Sequence, residues 1–117
     1  MPKPLAFVIE DDPALSEIFS IALQDDFETR TIVDGDAALA QLAQTVPAVI
    51  VLDLHLPNIS GADVFAKIRA DKRFANTRVI LSTADAVQAE VLREQADFVL
   101  LKPVNPLQLR DLASRLR

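Results

Sequence analysis

Charged and hydroxyl side chains directly follow four short apolar segments of this 117-residue chain. In chain order they are Glu10, Asp11 and Asp12 after residues 5–9, Asp53 after residues 48–52, Thr83 after residues 78–82, and Lys102 after residues 98–101. Carboxylates that are held close together repel each other unless a cation joins them. A small set of oxygen ligands that leaves water on the ion suits Mg²⁺. The acids therefore predict a magnesium site, provided that the fold brings them together.

The lysine and the threonine extend this chemistry to a phosphoryl group. Beside Mg²⁺, the Lys102 ammonium would offset phosphoryl charge and the Thr83 hydroxyl would donate a hydrogen bond. One of the carboxylates could then act as the nucleophile and form an acyl phosphate. Each position also has a simpler role, such as capping a helix, forming a turn or extending from a strand end toward water. The simpler roles do not explain why all four positions would meet at one place.

The four apolar segments are predicted strands of a parallel sheet, because they lack polar alternation and so need cover on both faces. Residues 28–33 alternate with polar side chains, which is typical of an edge strand. Between the strands, apolar residues recur at helical spacing. The five predicted stripes are Leu15, Ile18, Phe19 and Ala22; Ala38, Leu39 and Leu42; Val64, Phe65 and Ile68; Val87, Val91 and Leu92; and Leu109, Leu112, Ala113 and Leu116. Asp12 followed by Pro13 predicts the start of the first helix.

Five alternations of strand and helix predict an α/β, doubly wound fold with a parallel sheet and helices on both faces. In such folds ligands bind beyond the carboxyl ends of the strands, where the order of the strands reverses. All four groups of polar residues follow strand ends. We therefore expect them at one edge of the sheet.

The composition limits the classes of protein to which this chain can belong. The net charge is −5, there is no cysteine, and half of the residues are apolar. We expect one domain over residues 1–117, a cytoplasmic location, no membrane span and no direct contact with nucleic acid. Arg110, Arg115 and Arg117 lie near the chain end, where we expect them to favour a helix terminus and solubility.

Together these motifs resemble the receiver domain of two-component response regulators, over essentially the whole chain. The matching motifs are Glu10-Asp11-Asp12, Asp53-Leu54-His55-Leu56-Pro57 with Gly61, Thr83-Ala84, and Lys102-Pro103. The resemblance implies a flavodoxin-like strand order, 2-1-3-4-5. It also implies Asp53 as the phosphoacceptor, and Thr83 and Lys102 as the residues that sense the phosphoryl group. It implies that Mg²⁺ is held by Glu10, Asp11, Asp53 and the backbone carbonyl of His55. The His55 side chain is expected to be an exposed loop side chain.

The resemblance further implies partners. The phosphoryl donor would be a phosphohistidine on a sensor histidine kinase or a phosphotransfer protein. A downstream protein, or a second copy of the chain, would bind the face formed by the fourth helix, the fifth strand and the fifth helix. The chain would assist only its own phosphorylation and dephosphorylation, and so would not be an enzyme. A cis peptide bond is expected between Lys102 and Pro103.

One departure from the family pattern concerns output. Receivers usually carry an aromatic residue three positions before the lysine, whereas this chain has Val99 there and Phe98 one position earlier. Valine has few rotamers with which to follow movement of Thr83. We therefore expect a local change, or one transmitted through residues 84–87 and the next helix. The alternative function is a receiver-like interaction or dimerisation module that acts without phosphorylation.

Overall fold

The computed structural model describes residues 2–116, in which five strands alternate with five α-helices. In chain order they are β1 (Leu5–Ile9), α1 (Pro13–Leu23), β2 (Glu28–Ile32), α2 (Gly35–Leu42), β3 (Val49–Asp53), α3 (Gly61–Ala70), β4 (Arg78–Thr83), α4 (Ala86–Leu92), β5 (Phe98–Leu101) and α5 (Pro106–Ser114). The strands form one parallel sheet in the order β2-β1-β3-β4-β5. The predicted fold class and strand order are confirmed, and β2 is an edge strand as its alternating sequence predicted.

Two apolar layers lie on opposite faces of the sheet, because successive side chains of a strand point to opposite sides. One layer joins the sheet to α2 and α3 and includes Phe7, Leu52 and Phe65. The other joins it to α1 and α5 and includes Phe19 and Leu109. Strands β1, β3 and β4 are therefore covered on both faces, which explains their continuous apolar sequences.

Local sequence explains where the helices begin. The Asp12 carboxylate accepts hydrogen bonds from the N–H groups of Ala14 and Leu15, and Pro13 is the first residue of α1, as predicted. Such a side-chain acceptor satisfies N–H groups that have no partner within the helix. The same role is filled for the later helices by Asp34, Ser60, Asp85 and Asn105.

Three apolar side chains do not lie where their spacing placed them. Ile18 in α1 is 41% exposed, and Val87 and Val91 in α4 are 75% and 69% exposed. Helix α4 has only seven residues and packs beside the edge strand β5, so that Ala89 alone fills its buried position. In α1 the predicted Phe19 is buried, but the other fully buried positions are Ser16 and Leu23, which the predicted stripe did not include.

Strand β5 is less covered than predicted because it is an edge strand. Leu101 is 48% exposed, although Leu100 is buried. Within residues 2–116 no helix is both long enough and apolar enough to cross a bilayer. Arg117, one of the three arginines singled out near the chain end, lies outside the described residues.

Candidate functional site

The carboxyl ends of β1, β3, β4 and β5 meet at one edge of the sheet. Asp53 is paired in register with Ser82, and Thr83 with Leu101, so that Lys102 follows directly beside the end of β4. The Lys102 N–H also donates a hydrogen bond of 2.8 Å to the Thr83 carbonyl. The four groups of polar residues therefore lie at one edge of the sheet, as predicted.

Asp53 lies at the centre of this edge. Its side chain is almost fully buried, with 2% of the residue exposed. One carboxylate oxygen, Oδ1, accepts a hydrogen bond of 2.9 Å from the N–H of His55. The other, Oδ2, lies 3.1 Å from the ammonium of Lys102. Both oxygens are thus held in fixed directions by a backbone N–H and an ammonium.

Two more acids complete a cluster of carboxylates. Oxygen atoms of Glu10, Asp11 and Asp53 lie within 4.8 Å of one another. Glu10 is buried, whereas Asp11 is exposed. Asp12 uses its carboxylate to cap α1, so the simpler capping role is correct for that residue. Of the acidic triplet, Glu10 and Asp11 are therefore the members that lie with Asp53, as the sequence predicted.

The Glu10 carboxyl is held unequally at its two oxygens. Oε2 accepts a hydrogen bond of 3.2 Å from the Asp12 N–H. Oε1 lies 3.3 Å from the Lys102 ammonium and makes no hydrogen bond. Burial raises the pKa of Glu10 to about 7, and the nearby Asp53 carboxylate adds to that rise. A cation between the acids would reverse this effect, because it favours the ionised form.

Lys102 experiences opposing effects on its own ionisation. Burial by itself lowers the pKa of Lys102, but the hydrogen bond to Asp53 and the charges of Asp53 and Glu10 outweigh it, so that the pKa is raised. The side chain of Lys102 is 24% exposed. Lys102 therefore remains an ammonium at the mouth of the site.

Thr83 is fully buried and lies one residue before the start of the next loop. Its Oγ1 accepts a hydrogen bond of 3.0 Å from the Asp85 N–H, and this leaves the Thr83 hydroxyl proton available for another acceptor. The alternative in which Thr83 caps α4 is wrong, because the Asp85 carboxylate accepts from Val87 and Gln88. The buried Ser82 hydroxyl has no hydrogen-bond partner among the described residues.

The sequence predicted only some of the contacts made by the loop after β3. The His55 side chain is exposed, as expected. Its backbone N–H, however, contacts Asp53, a role that the sequence analysis did not assign. An aspartate side chain that accepts a hydrogen bond from the N–H two residues later is a common turn arrangement. The position of Asp53 before a proline-containing loop could have indicated this contact. The peptide bond between Lys102 and Pro103 is cis, as predicted.

A family model for the response regulator receiver domain matches residues 6–114. The chain belongs to this family. As a receiver it is a regulatory domain of two-component signalling and not a classical enzyme, in agreement with the sequence analysis.

The chain is similar to part of longer curated bacterial regulators. It is 34% identical over 114 residues to the "DNA-binding response regulator MtrA" of Mycolicibacterium smegmatis, covering 94% of this chain and 47% of that protein. It is 33% identical over 120 residues to the "DNA-binding dual master transcriptional regulator RpaA" of Synechocystis, covering 97% of this chain and 48% of that protein. The chain thus spans about half the length of the curated relatives that it matches.

Solved structures agree with the fold. The BeF3-activated receiver domain of DrrB superposes with a TM-score of 0.87 at 28% identity, covering 97% of each chain. The chemotaxis response regulator CheY4 of Vibrio cholerae also gives a TM-score of 0.87, with 98% of this chain and 99% of that chain covered. At 24% identity the second likeness is one of fold alone.

Proposed function

We propose that this receiver accepts a phosphoryl group on Asp53 from a phosphohistidine donor. The observation that carries the proposal is the environment of the Asp53 carboxylate, which is buried at a strand end, ion-paired with Lys102 and grouped with two further acids. In the transfer, a bond forms between phosphorus and an Asp53 oxygen while the bond from phosphorus to the donor nitrogen breaks. The two donors already on Asp53 hold its carboxylate oriented for attack.

Thr83 and Lys102 would then hold the transferred group. The Lys102 ammonium can move from the Asp53 carboxylate to a phosphoryl oxygen, where it offsets negative charge. The Thr83 hydroxyl can donate its free proton to another oxygen. Because that hydroxyl also accepts from the Asp85 N–H, its movement would disturb the start of α4.

The acidic cluster fits Mg²⁺. Three carboxylates supply hard oxygen ligands, and Glu10 has a buried oxygen without a hydrogen bond, which suits a site completed by a cation. We assign Glu10, Asp11, Asp53 and the His55 carbonyl to this ion. When bound, Mg²⁺ neutralises charge on the transferring phosphoryl group.

The proposal includes partners. The donor would be a sensor histidine kinase or a phosphotransfer protein in the cytoplasm. The output surface would be the face of α4, β5 and α5, where three apolar side chains, Val87, Val91 and Leu101, are exposed. Such a surface suits a downstream protein or a second copy of the chain.

The test is labelling of the purified protein with acetyl phosphate in the presence of Mg²⁺. We expect wild type to gain one phosphoryl group and Asp53→Asn to gain none, with its fold retained because removing one crowded acid relieves repulsion at Glu10. Asp12→Asn is the matched control, because asparagine caps a helix as well as aspartate does. Equal labelling of wild type and Asp53→Asn would refute the acceptor.

A receiver-like interaction module is the second candidate, and Val99 is the observation that favours it. Val99 is partly buried against the apolar layer that joins the sheet to α2 and α3, and it occupies the position three residues before Lys102 where receivers usually carry an aromatic side chain. In this case wild type would bind its partner equally well with and without acetyl phosphate. Phosphate-dependent binding would exclude this candidate.

A further inference from the structure

The chain has two glycines, and both lie against the loop that follows Asp53. Gly61 begins α3 and packs against the end of β3, where a Cβ would lie 2.6 Å from the Leu54 Cα and 2.8 Å from the Asp53 carbonyl carbon. Gly35 begins α2 and packs against Ile59, where a Cβ would lie 2.7 Å from the Ile59 Cβ and 2.9 Å from its carbonyl carbon. Non-bonded carbon atoms prefer about 3.5–4.0 Å.

Neither glycine has a positive φ, so the backbone conformation is open to any residue at both positions. Helix propensity does not select glycine at Gly35 either, because alanine is the better helix former. The absence of a side chain is therefore what the position requires. Since the neighbouring atoms belong largely to the backbone of Ile59, rotation of a side chain could not make room.

The contacts form a continuous path to the phosphoacceptor. Ile59 precedes Ser60, which caps α3, and Gly61 donates its N–H to the Leu54 carbonyl at a distance of 3.0 Å. A displaced Ile59 would move the start of α3, and Gly61 has no space to move toward Asp53. Residues 54–60, here called the phosphoacceptor loop, are thus held between the start of α2 and the end of β3.

We propose that Gly35 is a positioning residue for phosphorylation. It lets α2 lie directly against the phosphoacceptor loop, which carries the His55 N–H on Asp53 and the carbonyl that we assign to Mg²⁺. This inference rests on the proposed function of Asp53. A Cβ at Gly35 would separate α2 from the loop by about 1 Å, and a misplacement of that size at a reacting group can cost up to about 100-fold in rate.

The test compares Gly35→Ala with Ala40→Gly, an exposed position in the same helix. We expect Gly35→Ala to be labelled by acetyl phosphate at least about tenfold more slowly than wild type, whereas Ala40→Gly is labelled normally. Amide NMR shifts recorded without Mg²⁺ should change across the phosphoacceptor loop in Gly35→Ala only. Labelling of Gly35→Ala within twofold of wild type, or unchanged loop shifts, would overturn the inference.

Two further measurements test Gly35 if wild type is not labelled or if Gly35→Ala does not fold. If wild type is not labelled, the proposed function fails, while the loop shifts and a Mg²⁺ titration followed by the same amides still test Gly35. If Gly35→Ala does not fold, Ile59→Gly removes the Cβ that packs against Gly35. Asn58→Gly, one position earlier in the same loop, is the matched control, because the φ of 71° at this exposed residue already suits glycine. Slower labelling of Ile59→Gly alone supports the inference, and equal labelling of the two variants contradicts it.

Discussion

At the scale of single residues, neighbouring acids have separate tasks. Asp11 lies with Glu10 and Asp53, whereas Asp12 caps α1. We expect Asp11→Asn to lose Mg²⁺-dependent labelling and Asp12→Asn to keep it. Only the first substitution removes a charged carboxylate ligand from the acidic cluster. Labelling over a range of Mg²⁺ concentrations measures this difference. If Asp12→Asn loses Mg²⁺-dependent labelling and Asp11→Asn keeps it, the ligand assignment is wrong by one position.

Glu10 makes stability depend on pH in the absence of Mg²⁺. Its pKa is about 7 in the folded protein against 4.5 in the unfolded chain, so between these values the folded form holds a proton that the unfolded form has released. The free energy of unfolding should therefore fall as pH rises through this window, by at most about 3 kcal/mol. Urea unfolding of wild type and Glu10→Gln at several pH values measures it.

Glu10→Gln should show a smaller decline over the same range, since glutamine does not titrate. Glu17→Gln, on the exposed face of α1, is the matched control and should behave as wild type. Identical pH profiles for wild type and Glu10→Gln would contradict the assignment. Saturating Mg²⁺ should flatten the wild-type profile, because the ion favours ionised Glu10.

The meeting of Glu10, Asp53, Thr83 and Lys102 at one edge of the sheet could be predicted because each follows an apolar segment, whereas the roles given to them came from the resemblance to receivers. The hydrogen bonds that backbone N–H groups make to these side chains could not be predicted. The His55 N–H on Asp53 and the Asp85 N–H on Thr83 depend on loop geometry that no periodicity encodes. The role of Gly35 was likewise missed, because it depends on the close approach of Ile59, which is distant in the chain.

At the scale of elements, the strand ends and α4 are linked through Thr83. Its hydroxyl accepts from the N–H of Asp85, whose carboxylate caps α4. With beryllofluoride and Mg²⁺ as a phosphoryl mimic, we expect amide shifts to change at residues 83–88 and to change less at Val99, which has few rotamers. Comparison of NMR spectra with and without the mimic tests this route.

Val99→Tyr provides the contrasting variant, because a larger side chain could follow movement of Thr83. We expect its β5 amides to respond more strongly to the mimic than those of wild type. Shifts at Val99 in wild type as large as those at Thr83 would show that the strand is coupled without an aromatic residue.

Prediction of elements succeeded where burial was continuous and failed where an element lies at an edge. Val64, Phe65 and Ile68 are all buried, since α3 covers the middle of the sheet. Val87 and Val91 repeat at helical spacing but face solvent, because α4 lies beside the edge strand. Periodicity identifies a helix, whereas the extent of the surface that it covers depends on its neighbours.

At the scale of the whole molecule, Mg²⁺ should stabilise the fold. A ligand that binds only the folded state at 100 times its Kd adds about 2.7 kcal/mol. For a domain of this size we expect the midpoint of thermal unfolding to rise by about 10 °C. Calorimetry with and without Mg²⁺ measures this shift, and Asp11→Asn should lose most of it. An equal shift in both proteins would place the ion elsewhere.

The overall architecture was predictable because strand and helix signals alternate throughout the chain. The order of the strands came from the resemblance to receivers, since alternation alone allows several orders. The position of the site then followed from the topology, because parallel strands end at one edge.

The open side of β5 has a consequence for how the protein behaves at high concentration. Phe98–Leu101 is an apolar strand at the edge of the sheet, and such edges can pair with other molecules and aggregate. Asp97 and Lys102 flank it, and charged residues at both ends of an apolar strand act as gatekeepers against this pairing. We therefore expect Lys102 to protect solubility in addition to the role proposed for it at the site. A neutral substitution there should lower the monodisperse fraction even where no phosphoryl group is present.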